Sequence, residues 1–201
     1  MIDLKNVKNY LAPFPVTLVT TRLEENNIKK DNIIAISWTG TCDNSPHRIN
    51  INIAKGKYSG NIIKLTKEFG ICIPTAKYVK EIDICGSMHG NKVDKFELTK
   101  FSRFEASSIN VPLIKECPIN MECVLEEVVP FEAHEMFIGR IVKTHVDENC
   151  LDEKGKVDFG KIDILAYVND EYWTLGKKLG DLFFTRKKYQ KHIQDFENTR
   201  L

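Results

Sequence analysis

The sequence predicts a mainly β fold of the α+β type, most simply a barrel with helices packed outside it. Three observations point there. Short alternating or β-branched runs recur along the chain and outnumber the helical patterns. The second half is almost wholly strand-like: NMECVLEEVVPF (120–131) and HEMFIGRIVKTHV (134–146) are joined by a tight Glu132-Ala133 connection. With 201 residues, 42% of them hydrophobic, the chain suits a single domain with a substantial core.

In order along the chain, Pro13-Phe14-Pro15 introduces VTLVTTR (16–22), a strand rich in Val and Thr. The polar run Glu24 to Asn32 reads as a long, solvated hairpin connection. The stretch from Asn32 to Ile63 then organises the rest as strand, small polar loop, strand, basic turn and helix start. Alternation puts Ala35, Ser37 and Thr39 on one face and Ile34, Ile36 and Trp38 on the other, so Trp38 is expected to pack rather than to stack on a ligand. In the second strand Ile49, Ile51 and Ile53 oppose Asn50 and Asn52. A small polar face of this kind accepts a flat polar ligand, and Gly40 lets backbone N–H groups approach it. Lys55, Lys57 and Tyr58 follow, and Ser59 is the expected N-cap of a helix to about Glu68 carrying Ile62, Ile63 and Leu65. A helix N-terminus with a hydroxyl and two lysines suits a phosphate.

Beyond it, Phe69 to Pro74 is a short buried strand stopped by its proline. Thr75 is the expected cap of a second helix with Tyr78, Val79, Ile82 and Cys85 at helical spacing, ended by Gly86. The loop GSMHGNKVDKF carries His89, Lys92, Asp94 and Lys95 and reads either as a mobile surface connection or as a lid or ligand loop. Asp147 to Lys156 is a further loop and Ile162 to Val168 a further strand. From Asp181, with Thr185 a possible cap, a polar terminal helix includes Tyr189, Ile193 and Phe196 and is suited to a surface or a partner subunit.

Composition narrows the function. A net charge of +1 argues against a general nucleic-acid binder. No apolar run approaches the ~20 residues that span a bilayer, and the first residues do not make a secretory signal. The cysteines (Cys42, Cys72, Cys85, Cys117, Cys123 and Cys150) form no CxxC pair, which favours free thiols in a reducing cytoplasm over a zinc site. No carboxylate pair, Ser-His-Asp set or metal-ligand cluster stands out, as expected where a cofactor carries the reaction. There is no G-x-G-x-x-G fingerprint for a dinucleotide.

Six segments in order, PFPVTLVTT, NIIAISWTGTC, KGKYSGNI, EFGICIP, CGSMHGNKVDKF and HEMFIGRIV, resemble the flavin reductase-like family, and within it the flavoredoxin type. The resemblance covers about residues 10 to 176, with YWTLGKKLG (172–180) similar to that type's C-terminal segment. It implies an FMN-binding split β-barrel over 1–180, usually a homodimer with FMN near the subunit interface; the helical extension over 181–201 is read from its own residues and matches no segment of the family. By position it assigns Ser37, Trp38, Thr39, Gly40, Thr41 and Cys42 to the flavin ring and ribityl chain. Tyr58, Ser59 and Asn61, with Lys57 beside them, fall to the phosphate end, and His134 to the flavin's side. Many relatives carry Arg where Lys57 stands, and a guanidinium grips phosphate in bidentate fashion. Many also carry a basic residue nearer the middle of the loop that here reads Ser87-Met88-His89-Gly90. The implied activity is an oxidoreductase passing electrons from NADH or NADPH through FMN to a flavin, metal ion or small acceptor. The alternative is an electron carrier with tightly held FMN, reduced by a redox protein partner.

Overall fold

The protein, seen in a computed structural model, is described over residue 5, residues 8–186 and residues 189–190. Its centre is a pair of long antiparallel strands, β9 (Ile119–Pro130) and β10 (His134–Val146), where the sequence placed them. β5 (His47–Ala54) pairs with the outer edge of β10, and β4 (Thr39–Asn44) with β5. On the other side β6 (Glu68–Ile73) pairs with β9, then β2 (Thr17–Glu25), then β3 (Ile28–Ile36). The seven-stranded sheet therefore runs β3-β2-β6-β9-β10-β5-β4. Two small sheets complete the fold: β7 (Arg103–Glu105) with β8 (Pro112–Ile114), and β1 (Phe14–Pro15) with β11 (Leu165–Val168) and β12 (Glu171–Thr174). The architecture is the split-barrel type that the sequence led us to expect.

Strand alternation sorts the core into two layers. Val19, Ile51, Phe69, Ile71, Cys123 and Phe137 fill the inside of the curved sheet together with Ile63 of α1 (Tyr58–Thr66). Leu18, Ile33 and Cys72 point the other way. There they meet Ile82 and Cys85 of α2 (Val79–Ser87), Phe96 of α3 (Lys95–Thr99) and Leu113 of β8. Gly139 is needed inside, because a Cβ there would stand 2.4 Å from the Phe69 ring. Fully burying one such apolar side chain is worth about 1.5–3 kcal/mol.

Several local expectations are corrected. The polar run Glu24 to Asn32 is no long connection: β2 and β3 continue through it and turn at Asn26-Asn27, both at positive φ. Asparagine tolerates that conformation, so two residues suffice. Helix α1 starts at Tyr58 with Lys57 at the cap position, and Ser59 makes no capping bond, being already inside the first turn. Thr75 makes no side-chain cap either; it precedes a 3-10 turn, Ala76–Tyr78, that leads into α2. The loop after Gly86 is shorter than expected, because α2 runs to Ser87 and α3 begins at Lys95, capped by Asp94 accepting from the Glu97 amide at 3.1 Å. The strand expected from Ile162 begins at Leu165. Most of the terminal helix expected beyond Asp181, including Ile193 and Phe196, lies outside the described residues. Among the described residues no helix is long and apolar enough to cross a membrane.

Candidate functional site

The end of β5 turns through Gly56, at φ +80°, into α1, and brings the first turn of that helix against the α2–α3 loop. Between them lies a cavity of about 350 Å³. Lys55, Gly56, Lys57, Tyr58, Ser59 and Asn61 form one wall; Gly86, Met88, His89, Gly90, Asn91 and Lys95 form the other, with Asn32 and Ile34 at the base. The free N–H groups of a helix start point outward along its axis. Among the described residues, three lysines line this space and no carboxylate does. The resulting field favours an anion.

The floor of the cavity contains unfinished polar chemistry. Asn32 is 2% exposed; its Nδ2 donates to Ser59 Oγ at 2.7 Å, and its Oδ1 has no hydrogen-bond partner. Ser59 Oγ, as acceptor in that bond, keeps its own proton to donate. Gly90 is packed so closely that a Cβ would fall 2.0 Å from Asn32 Oδ1. Lys95 is also 2% exposed, and its ammonium donates to the Cys85 carbonyl at 2.7 Å. Burial lowers its pKa, and the charge of Lys57 adds to that lowering against an opposing contribution from Cys85.

The other assigned residues stand along the neighbouring sheet edge and outside the cavity lining. Ser37 and Trp38 form the bend between β3 and β4, so alternation breaks after Ile36, and Trp38 is 42% exposed rather than packed in the core. Its ring lies 5.0 Å from that of His134, tilted by 35°. His134 opens β10 opposite Ala54, the residue before Lys55, which places this ring pair near the cavity wall. Thr39, Gly40, Thr41 and Cys42 form the first part of β4. The polar face of β5 is spent on holding that strand. Asn50 Nδ2 donates to the Gly40 carbonyl at 3.0 Å and to Cys42 Sγ at 3.2 Å, Asn52 Nδ2 donates to the Trp38 carbonyl at 3.1 Å, and Thr39 Oγ1 donates to the Asn50 carbonyl at 2.6 Å.

The structure thus brings together Lys57, Tyr58, Ser59 and Asn61, and pairs Trp38 with His134. Sequence reasoning missed Asn32, Gly90 and the special status of Lys95. Only the ligand-loop reading of 86–96 hinted at the last two.

A model of the flavin reductase like domain matches residues 10–176. The chain belongs to that family. Among solved flavin reductase-like structures, the flavoredoxin from Methanosarcina acetivorans is 30% identical, with a TM-score of 0.83 over 94% of this chain and 99% of that one. The flavoredoxin of Desulfovibrio vulgaris (Miyazaki F) is 28% identical, with the same TM-score, over 92% and 98%. An uncharacterized protein from Archaeoglobus fulgidus is 29% identical over 78% of this chain and 84% of its own length.

Proposed function

We propose that the protein is an FMN-dependent oxidoreductase that takes electrons from NADH or NADPH and passes them to a flavin, a metal ion or a small acceptor. The observation that carries this is the cavity at the start of α1, lined by three lysines and, among the described residues, by no carboxylate. FMN fits the residues present. A terminal phosphate would meet the α1 amides, Ser59 and the lysines, while the unpartnered Asn32 Oδ1 offers an acceptor to a ligand hydroxyl. Ser37 to Cys42 would follow the ribityl chain and ring, with Trp38 and His134 beside it. When bound, FMN supplies a ring that accepts a hydride or single electrons. Six free cysteines support a cytoplasmic setting, and a homodimer is the expected assembly.

A second reading is supported by the flavoredoxin matches, which extend over nearly the whole chain: an electron carrier with tightly bound FMN, reduced by a protein partner. Anaerobic stopped-flow mixing of the FMN-loaded protein with NADH and with NADPH tests the first. Flavin bleaching at catalytic rates supports the oxidoreductase; tight FMN with no bleaching by either nucleotide assigns the carrier.

A further inference from the structure

A second cavity, of about 560 Å³, adjoins the first across Tyr58, Gly90 and Asn91. It is lined by Lys29, Lys30 and Asp31 of β3, by Lys92 and Asp94 of the α2–α3 connection, and by Arg103 of β7. Its two carboxylates are already committed. Asp31 accepts from Arg22 Nε at 2.6 Å and lies 3.0 Å from Arg103 Nε. Asp94 caps α3 and lies 3.6 Å from Arg103 Nη2. The side chains of Lys29, Lys30 and Lys92 make no hydrogen bond or ion pair among the described residues. Lys29 adds to the field on Glu105, but that carboxylate is held by Arg22 at 3.0 Å. One exposed lysine is ordinarily just solvated. Three lysines from two separate elements around one concave surface focus a positive potential into it, and that draws an anion.

Position decides which anion. The second cavity meets the first at Tyr58 and Gly90-Asn91, whereas Trp38 and His134 stand beside the turn at Lys55. A nicotinamide dinucleotide lying alongside FMN, with its nicotinamide at the ring end, brings its adenosine end to the lysines. The adenosine of NADPH differs from that of NADH by a 2′-phosphate, a dianion suited to lysines with no other partner. We propose that the second cavity is the site of this 2′-phosphate, held by Lys29, Lys30 and Lys92, and that it makes NADPH rather than NADH the electron donor. The proposal rests on the oxidoreductase reading and names the donor which that reading leaves open. The competing source of an adenosine phosphate is FAD, whose adenosine would also continue beyond the phosphate end of the flavin.

Wild type and the double variant Lys30→Gln/Lys92→Gln, both loaded with FMN, should be titrated with 2′,5′-ADP and with 5′-AMP. Both should also be mixed anaerobically with NADPH and with NADH below saturation, and titrated in flavin-free form with FAD. We expect wild type to bind 2′,5′-ADP about tenfold or more tighter than 5′-AMP, the size of a charge-assisted contact. NADPH should bleach its flavin faster than NADH in similar proportion, and added salt should shrink both preferences. In the double variant both preferences should fall towards unity. Equal binding of the two adenosine phosphates by wild type, or preferences that survive in the double variant, overturns the assignment. So does a double variant that loses FAD affinity and keeps its preference for NADPH, which gives the cavity to a flavin's adenosine. If NADPH and NADH bleach wild type equally, only this assignment falls. If neither does, the oxidoreductase reading falls with it.

Discussion

His134 and Trp38 form a ring pair at the sheet edge, and each alone reads as structural. His134 pairs with Ala54, the residue before Lys55, so the pair stands beside the lysine-lined turn, and we propose a role for it at the site. A histidine there can orient a nicotinamide carboxamide or support negative charge beside a reduced ring. His134→Ala should slow anaerobic flavin reduction by NAD(P)H tenfold or more, about 1.4 kcal/mol, with FMN content nearly unchanged; an unchanged rate would leave only the packing against Trp38. Glu122 shows the structural counterpart. It is fully buried, and its carboxylate accepts from the Ser107 amide at 2.8 Å, the Ser108 amide at 2.6 Å and His145 Nε2 at 2.6 Å. Burial pushes its pKa up, but the Ser107 amide, His145 and the Ser108 amide outweigh that and bring it from 4.5 down to about 2. A carboxylate depressed on folding stabilises fully above its unfolded pKa. That contribution is lost as pH falls from about 4.5 towards 2. Denaturant unfolding across that window should show the loss in wild type. Glu122→Gln should flatten it and be destabilised by about 1–3 kcal/mol at neutral pH, because a buried amide cannot accept the same donors.

At the scale of elements, strand content was legible because alternation survives wherever one face is buried. β6, β9 and β10 fall within a residue or two of their expected limits. Misreadings occur where tertiary contacts override local pattern. Ser59 has the residue type of a cap, but the chain enters the helix two residues earlier, and its hydroxyl is taken up by Asn32 from β3, far away in sequence. Asn50 and Asn52 looked free to meet a ligand, yet they hold the edge strand β4. Lys95 read only as one of several polar residues of the loop after Gly86, and it is the packing of α3 beside α2 that buries it. The Asn32–Ser59 link joins β3 to the start of α1 and so carries a prediction at this scale. Ser59→Ala removes a donor to the ligand and orphans the Asn32 amide, and should weaken FMN binding by about 1–2 kcal/mol in a titration while α1 stays folded by circular dichroism.

For the whole molecule, the segment after β11 leaves much apolar surface in water. Tyr172, Trp173, Leu175, Leu179, Leu182, Phe183 and Phe184 are all exposed. Exposed apolar side chains in this number are what an interface would cover, and closed two-fold pairs are the commonest assembly. Light scattering should therefore report a dimer, and removing residues 181–201 should weaken association or solubility and leave the barrel's strand signal intact. A monomer that binds FMN fully would contradict an FMN site at a subunit interface. The proposed phosphate site, the start of α1 with its lysines, stands or falls on one titration. Flavin-free protein should be titrated with FMN and with riboflavin, following fluorescence quenching under the same salt conditions. The phosphate site predicts FMN binding at least tenfold tighter, a difference of about 1.4 kcal/mol or more; equal affinities for the two flavins would contradict it.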